Sequence, residues 1–373
     1  MIRARHYRTG KHLEIHSAEG EIRSVTDAGA VATDTPWVAP AFCDIQINGC
    51  DEISFNSANL TADDVRHVIA VCRRHGIAQL CPTLVTGPFD ALAHGLAVLR
   101  QVCESDIDVA RAVAGIHVEG PYISPEDGPR GAHPRAHVRS PNWDEFQRMQ
   151  AVSGGRIRMM TLAPEVDGAL PFIEKLTASG VIVALGHTAA SSACIQAAIQ
   201  AGARISTHLG NGAHAVLPRH PNYIWEQLAS DALWASCIAD GHHLPMSVLR
   251  CLLRVKTPAR LVLTCDASPF AGLPPGRYHA WDQDFEIVPE GKIIVPGTSF
   301  LAGSWAFTDQ CVAIVLGLGE VSLADGVDMA TARPRELLGL PPREIAVGQP
   351  AELIVFDWQP GETFRLRDSV IAS

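Results

Sequence analysis

Four side chains able to do metal or proton chemistry close apolar runs in this chain. Glu119 ends AVAGIHVE, His187 ends VIVALGH, His208 ends RISTH and Asp266 ends LVLTCD. A carboxylate at the tip of a buried strand is costly unless something positive meets it. One such residue reads as a satisfied core group, whereas four on separate runs read as a hydrolytic metal site. A catalytic zinc takes about three N or O ligands and keeps one position for water, and Glu119, His187 and His208 supply that set. Asp266 then either joins the ligands or stands beside them, where a carboxylate can take a proton from activated water and pass it to a leaving amine. Its bland reading is a helix N-cap before Ala-Ser-Pro.

The elements that must position these residues alternate. Short apolar strands are expected near 42–48, 78–85, 112–119, 157–162, 181–187, 204–208, 234–240 and 261–266, with helical stretches between them near 61–75, 89–104, 142–152, 167–179, 189–201, 222–230 and 244–256. Thr61-Ala-Asp-Asp and Ser140-Pro-Asn-Trp carry helix-entry chemistry. Eight strands, each followed by a helix or crossover, make an α/β fold of the (β/α)8 type, whose active site lies at the carboxyl ends of the strands. After the eighth strand, residues 267–300 form a Gly/Pro-rich excursion with a hairpin at FEIV-PEGK-IIVP, followed by helices near 301–317, 322–332 and 334–339. Such an excursion reads as a lid or substrate loop. Both ends of the chain are strand-rich, so residues 1–40 and 345–373 are expected to build one small β domain around a catalytic domain of residues 41–344.

The totals narrow the class. The chain has 373 residues, 47% hydrophobic, and a formal charge of −10 from 30 basic and 40 acidic side chains. That balance argues against nucleic-acid or anionic-membrane partners, so an anionic substrate must be held by a local cluster. Ten cysteines without a CxxC pair, mostly in apolar stretches, read as reduced core residues of a cytoplasmic protein. No N-terminal apolar segment and no run of about 18 apolar residues marks a leader or a membrane span.

Around the four central residues lie weaker candidates. Gln46 and Asn48 alternate on the first strand; amides are poor zinc ligands beside imidazole, so the pair is expected to bond water or substrate, which favours one metal over two. His133 sits in the polar loop Arg130-Gly-Ala-His133 within reach of a substrate. The segment His208-Leu-Gly-Asn-Gly-Ala213 offers backbone N–H groups for an anion, with Asn211, Gly212 and Ala213 at its end, while Arg219 and His243 offer positive charge for a phosphate.

Taken in order, PAFCDIQINGCD, GIHVEGPYIS, RGAHP, TLAPE, GHT, THLGN, ADGHH, TCDASPFAG, LAGS and VGQPAELIVFD resemble the N-acetylglucosamine-6-phosphate deacetylases of the amidohydrolase superfamily over nearly the whole chain. The resemblance implies a TIM-like barrel with a small β-sandwich built from both termini, usually a homodimer. It implies Glu119, His187 and His208 as ligands of one divalent ion, expected to be zinc although Fe²⁺, Mn²⁺ or Co²⁺ also suits the set, and Asp266 as the base. It implies His133 near the acetamide carbonyl, His243 on the phosphate, and Arg219 reaching the partner subunit's phosphate. The expected reaction is hydrolysis of N-acetylglucosamine 6-phosphate to acetate and glucosamine 6-phosphate. The alternatives are a deacylase of another N-acyl amine or unphosphorylated sugar, and a barrel that binds without catalysis. Three stretches depart from the family pattern, all in the substrate shell: Gly210–Ala213 where an aromatic and Asn-Ala-Met are usual, Arg130 where lysine is common, and LPRHPNYIWEQL.

Overall fold

The computed structural model describes residues 1–29, 35–280, 283–298 and 300–371. Eight strands lie side by side in chain order: 42–47, 77–85, 116–119, 157–162, 182–185, 205–206, 234–238 and 261–264. All neighbours are parallel. A parallel bridge between Ile47 and Ala267 joins the last strand to the first and closes the barrel.

Alternation decides which side each strand residue faces. Met160, Leu162, Leu261 and Leu263 belong to the large apolar core packed beneath the helices. Met159 and Val262, one residue away, fall in a separate cluster with Cys43, Ile45, Cys81, Leu337 and Leu338. That cluster fills one end of the barrel with apolar side chains and leaves the other end for polar ones.

A buried carboxylate fastens the closing seam. Asp44 is fully buried and accepts hydrogen bonds from the backbone N–H groups of Gln46 and Cys265 and the hydroxyls of Thr264 and Thr308. It ties the first strand to the eighth. Asp44→Asn puts an amide N–H against one or more of those donors, and we expect a loss of about 2–4 kcal/mol in urea unfolding. A loss under about 1 kcal/mol sinks the assignment of Asp44 as the seam fastener.

The helices largely follow their sequence signals. Thr61 and Asp64 form a capping box on the helix Ala62–Arg74. Two expectations need correction. The run from Ala112 is not strand throughout: Asp106 accepts from the N–H groups of Asp108 and Val109, capping a helix Ile107–Ala112, and the strand begins only at Ile116. The helix expected from 301 begins at Thr308, because Leu301 bridges to Ile294 and Ser304 to Ala267. The entry at Ser140-Pro-Asn-Trp is where the sequence placed it, with Asn142 as the capping residue of the helix Trp143–Val152. The hairpin after the eighth strand is present, with Glu286 opposite Ile294, and gains a third strand at Gly276–Ala280.

Strands from both ends of the chain share one further six-stranded sheet, in the order 365–370, 353–357, 37–40, 2–6, 12–18, 21–27. Tyr7 and Arg8 donate to Asp328 and pin that sheet to the barrel's outer layer. Among the described residues no helix is long and apolar enough to cross a membrane.

Candidate active site

Glu119, His187, His208 and Asp266 meet at the polar end of the barrel, in the wall of a cavity of about 360 Å³. Each of the four is at least nine-tenths buried. His187, His208 and Asp266 sit just past their strands with φ of 50°, 29° and 51°. Left-handed backbone costs a non-glycine residue roughly 1–2 kcal/mol, so the packing around each must hold it there.

Three donor atoms form a nearly equilateral triangle. His208 Nε2 lies 3.0 Å and His187 Nε2 3.2 Å from Glu119 Oε1, and the two nitrogens are 3.1 Å apart. Tetrahedral ligands at zinc bond lengths stand about 3.3 Å from one another, so the spacing suits one divalent ion. The tautomer agrees. His187 Nδ1 donates to the Pro129 carbonyl at 2.9 Å, which leaves a lone pair on Nε2. Burial opposes the charge of Glu119, but the two imidazoles against it, His187 and His208, hold its carboxyl well below the usual range. A metal therefore fits this donor set.

His133 joins the group more closely than its loop position suggested. Glu119, His133 and His187 bring donor atoms within 4.8 Å of one another, so two triads share Glu119 and His187. The distances choose between them: His133 Nε2 is 4.0 Å from Glu119 Oε2, against 3.0 Å for His208. Burial and the neighbouring His187 push the His133 imidazole down to about 3, so it is neutral, and its Nδ1 is 2.8 Å from Thr86 Oγ1. His117, on the same strand face as Glu119, is committed elsewhere, to Ile45 O and Thr161 Oγ1.

Gln46 and Asn48, expected to meet water or substrate, instead hold Asp266. Their side-chain amides donate to its Oδ1 at 3.0 and 2.7 Å. Asn48 also lines the cavity; Gln46 does not reach it. Burial and the charge of Glu119 push the Asp266 carboxyl up to about 7, while His208 and Asn48 act against them. The contact between these amides and Asp266 spans the closed seam, so only the barrel's closure brings it about.

The remaining candidates divide. His243, Asn211, Gly212 and Ala213 line the cavity. Gly212 has φ 55°, and a Cβ there would stand 2.8 Å from His187 Nδ1, so only glycine lets the chain pass over that ring. The Asn211 side chain donates to the His208 carbonyl at 3.2 Å. Arg219 is exposed and lies outside the cavity of its own chain. Sequence reasoning gave Glu165 no role, yet its carboxylate accepts from the Thr188 hydroxyl at 2.5 Å and the Ala189 N–H at 2.6 Å, fixing the turn that follows His187.

No family model matches the chain. An N-acetylglucosamine-6-phosphate deacetylase of Bos taurus is 38% identical over 339 residues, covering 86% of this chain and 79% of the relative. An N-acetylgalactosamine-6-phosphate deacetylase of Escherichia coli O157:H7 is 31% identical over 331 residues, covering 88% and 85%. The solved N-acetyl-D-glucosamine-6-phosphate deacetylase of Mycobacterium smegmatis superposes with a TM-score of 0.85 at 29% identity, covering 96% of this chain and 94% of that one. With kinship of this depth over most of both chains, the protein belongs to the N-acetylglucosamine-6-phosphate deacetylase family of the amidohydrolase superfamily.

Proposed function

We propose that the chain removes the acetyl group of N-acetylglucosamine 6-phosphate by metal-dependent hydrolysis of the amide, in amino-sugar catabolism. One observation carries the reading: Asp266, its Oδ1 held by two amides, faces a buried Glu-His-His triangle across a cavity of sugar size. Glu119, His187 and His208 would hold one divalent ion, which we take to be zinc. When bound, that ion supplies electrophilic polarisation of the amide carbonyl and acidifies water.

The chain's own residues do the rest. Gln46 and Asn48 occupy Oδ1 of Asp266, which leaves Oδ2 to accept the proton of the attacking water and return it to the departing nitrogen. His133, neutral and backed by Thr86, donates from Nε2 to the carbonyl oxygen as negative charge builds there. His243 and the backbone at Asn211, Gly212 and Ala213 receive the phosphate. Arg219 completes that subsite from a second copy, in a homodimer; exposed Val216 and Trp225 near it, at 87% and 54%, support a covered surface. Ten free cysteines support a reducing compartment, which we take to be the cytoplasm. We further divide the chain into a β domain of residues 1–40 and 345–373 and a catalytic domain of residues 41–344.

Amine release from N-acetylglucosamine with and without the 6-phosphate, and from the galactosamine epimer, tests the reading. A strong preference for the phosphorylated glucosamine is expected. Arg219→Ala should raise its KM about 10- to 100-fold, the worth of a charge-assisted contact, and light scattering should show a dimer. Equal turnover with and without the phosphate redirects the assignment to another N-acyl amine.

A further inference from the structure

A buried carboxylate stands behind His243, which lines the cavity where a phosphate is to be received. Asp240 is 7% exposed. Its Oδ1 accepts the backbone N–H groups of His242 and His243 at 2.8 Å each, and its Oδ2 accepts Nδ1–H of His243 at 2.7 Å and the Ser304 hydroxyl at 3.2 Å. Simple charge complementarity argues against an acid in an anion subsite, so its presence needs a physical reason.

Orientation supplies that reason. With Nδ1 turned to Asp240, Nε2 is the ring nitrogen left to meet a ligand in the cavity that His243 lines. A neutral ring in this tautomer would point a lone pair at the phosphate. A ring protonated on both nitrogens bridges two anions instead, Nδ1–H to Asp240 and Nε2–H to the ester. Burial opposes the charge of Asp240, yet the bonds from His243 hold its carboxyl below the usual carboxylate range, so the carboxylate is available as counter-charge. Ser304 extends the arrangement: its hydroxyl meets Asp240, and its backbone N–H donates to the Asp266 carbonyl at 2.8 Å. The phosphate contact and the base are thus anchored to one residue.

We propose that Asp240 is the positioning residue that makes the phosphorylated sugar the preferred substrate, by holding His243 with Nε2–H turned to the phosphate. The proposal rests on the reading of His243 as a phosphate contact.

The test compares kcat/KM for N-acetylglucosamine 6-phosphate with that for N-acetylglucosamine in the wild type, Asp240→Asn and His243→Gln, each in the metal-loaded enzyme. Asparagine removes the charge and keeps one accepting oxygen, while its NH2 faces the donors of the other, either the His242 and His243 N–H groups or His243 Nδ1 and Ser304. The expected result is a fall of about tenfold in the ratio for Asp240→Asn, the gap between a charged and a neutral hydrogen bond. The fall should lie mainly in KM for the phosphorylated substrate, with weaker inhibition by inorganic phosphate in step, and His243→Gln should lose at least as much. An unchanged ratio in Asp240→Asn beside a reduced one in His243→Gln overturns the proposal and leaves the phosphate reading standing. An unchanged ratio in both overturns the phosphate reading itself. Equal losses on both substrates in Asp240→Asn make its role merely structural and also overturn the proposal. If Asp240→Asn does not fold, Ser304→Ala, which removes one support of Oδ2, carries the same comparison with an expected two- to threefold fall and the same overturning outcomes.

Discussion

Asp266→Asn should lower kcat by about 10³- to 10⁴-fold, the upper range for loss of a general base that also serves as acid, while the protein keeps its metal. The substitution is unusually clean. An asparagine Oδ1 still accepts from Gln46 and Asn48, which now stand 3.0 and 2.7 Å from the carboxylate, so the side chain stays in place. What is lost is a basic oxygen at the second position. Acetate release and metal content, measured on one preparation, check this. Residual turnover above about a tenth of wild type, with metal bound, would assign the proton transfer to another group. The same carboxyl sets an acidic limb: catalysis needs its ionised form, so kcat/KM should fall tenfold per unit as pH drops below its pKa. Burial and Glu119 push that carboxyl up to about 7; a divalent cation beside Glu119 acts in the opposite direction and moves the limb below that value.

Glu119→Gln should empty the site, leaving under about a tenth of an equivalent of metal after purification and activity reduced by about 10³-fold or more. Glutamine matches the volume, so the packing around this fully enclosed side chain is retained. It replaces a charged oxygen with a neutral amide, a weak ligand beside imidazole. His187 and His208 then face each other at 3.1 Å without the anion that both now approach. Plasma mass spectrometry on the variant, and on wild type before and after prolonged chelation, reads the result directly. Zinc restoring the chelated wild type better than manganese, iron or cobalt identifies the ion. A glutamine variant that binds a full equivalent sinks Glu119 as a ligand and promotes the alternative triad through His133.

The fold was legible because its signals are local. Eight apolar runs bounded by helix-entry residues announce a barrel, and the residues at their tips announce where its chemistry lies. What escaped was contact across closure. Gln46 and Asn48 are 220 and 218 residues from Asp266, and no period or motif says that their amides hold its carboxylate. Asp44 and Glu165 were silent for the same reason: each is an acid whose purpose appears only once its distant donors surround it. The helix at 107–112 was hidden by an apolar run that suits either structure, and Asp106 was the signal that could have revealed it. His133 was marked as a loop residue within reach of the substrate, but its burial beside Glu119 and His187 is not written in sequence.

The six-stranded sheet has a consequence for how the protein is made. Strand Trp37–Pro40 pairs on one side with Ile2–His6 and on the other with Leu353–Asp357, so the nascent chain carries its N-terminal strands with an open edge while the ribosome makes the entire barrel. An open edge is a template for wrong partners, and at roughly 5–20 residues per second the wait lasts many seconds. Translation that stops short of residue 353 yields a polypeptide with every residue of the proposed active site made and a sheet that cannot be completed. Quality-control machinery would meet it as a sticky fragment.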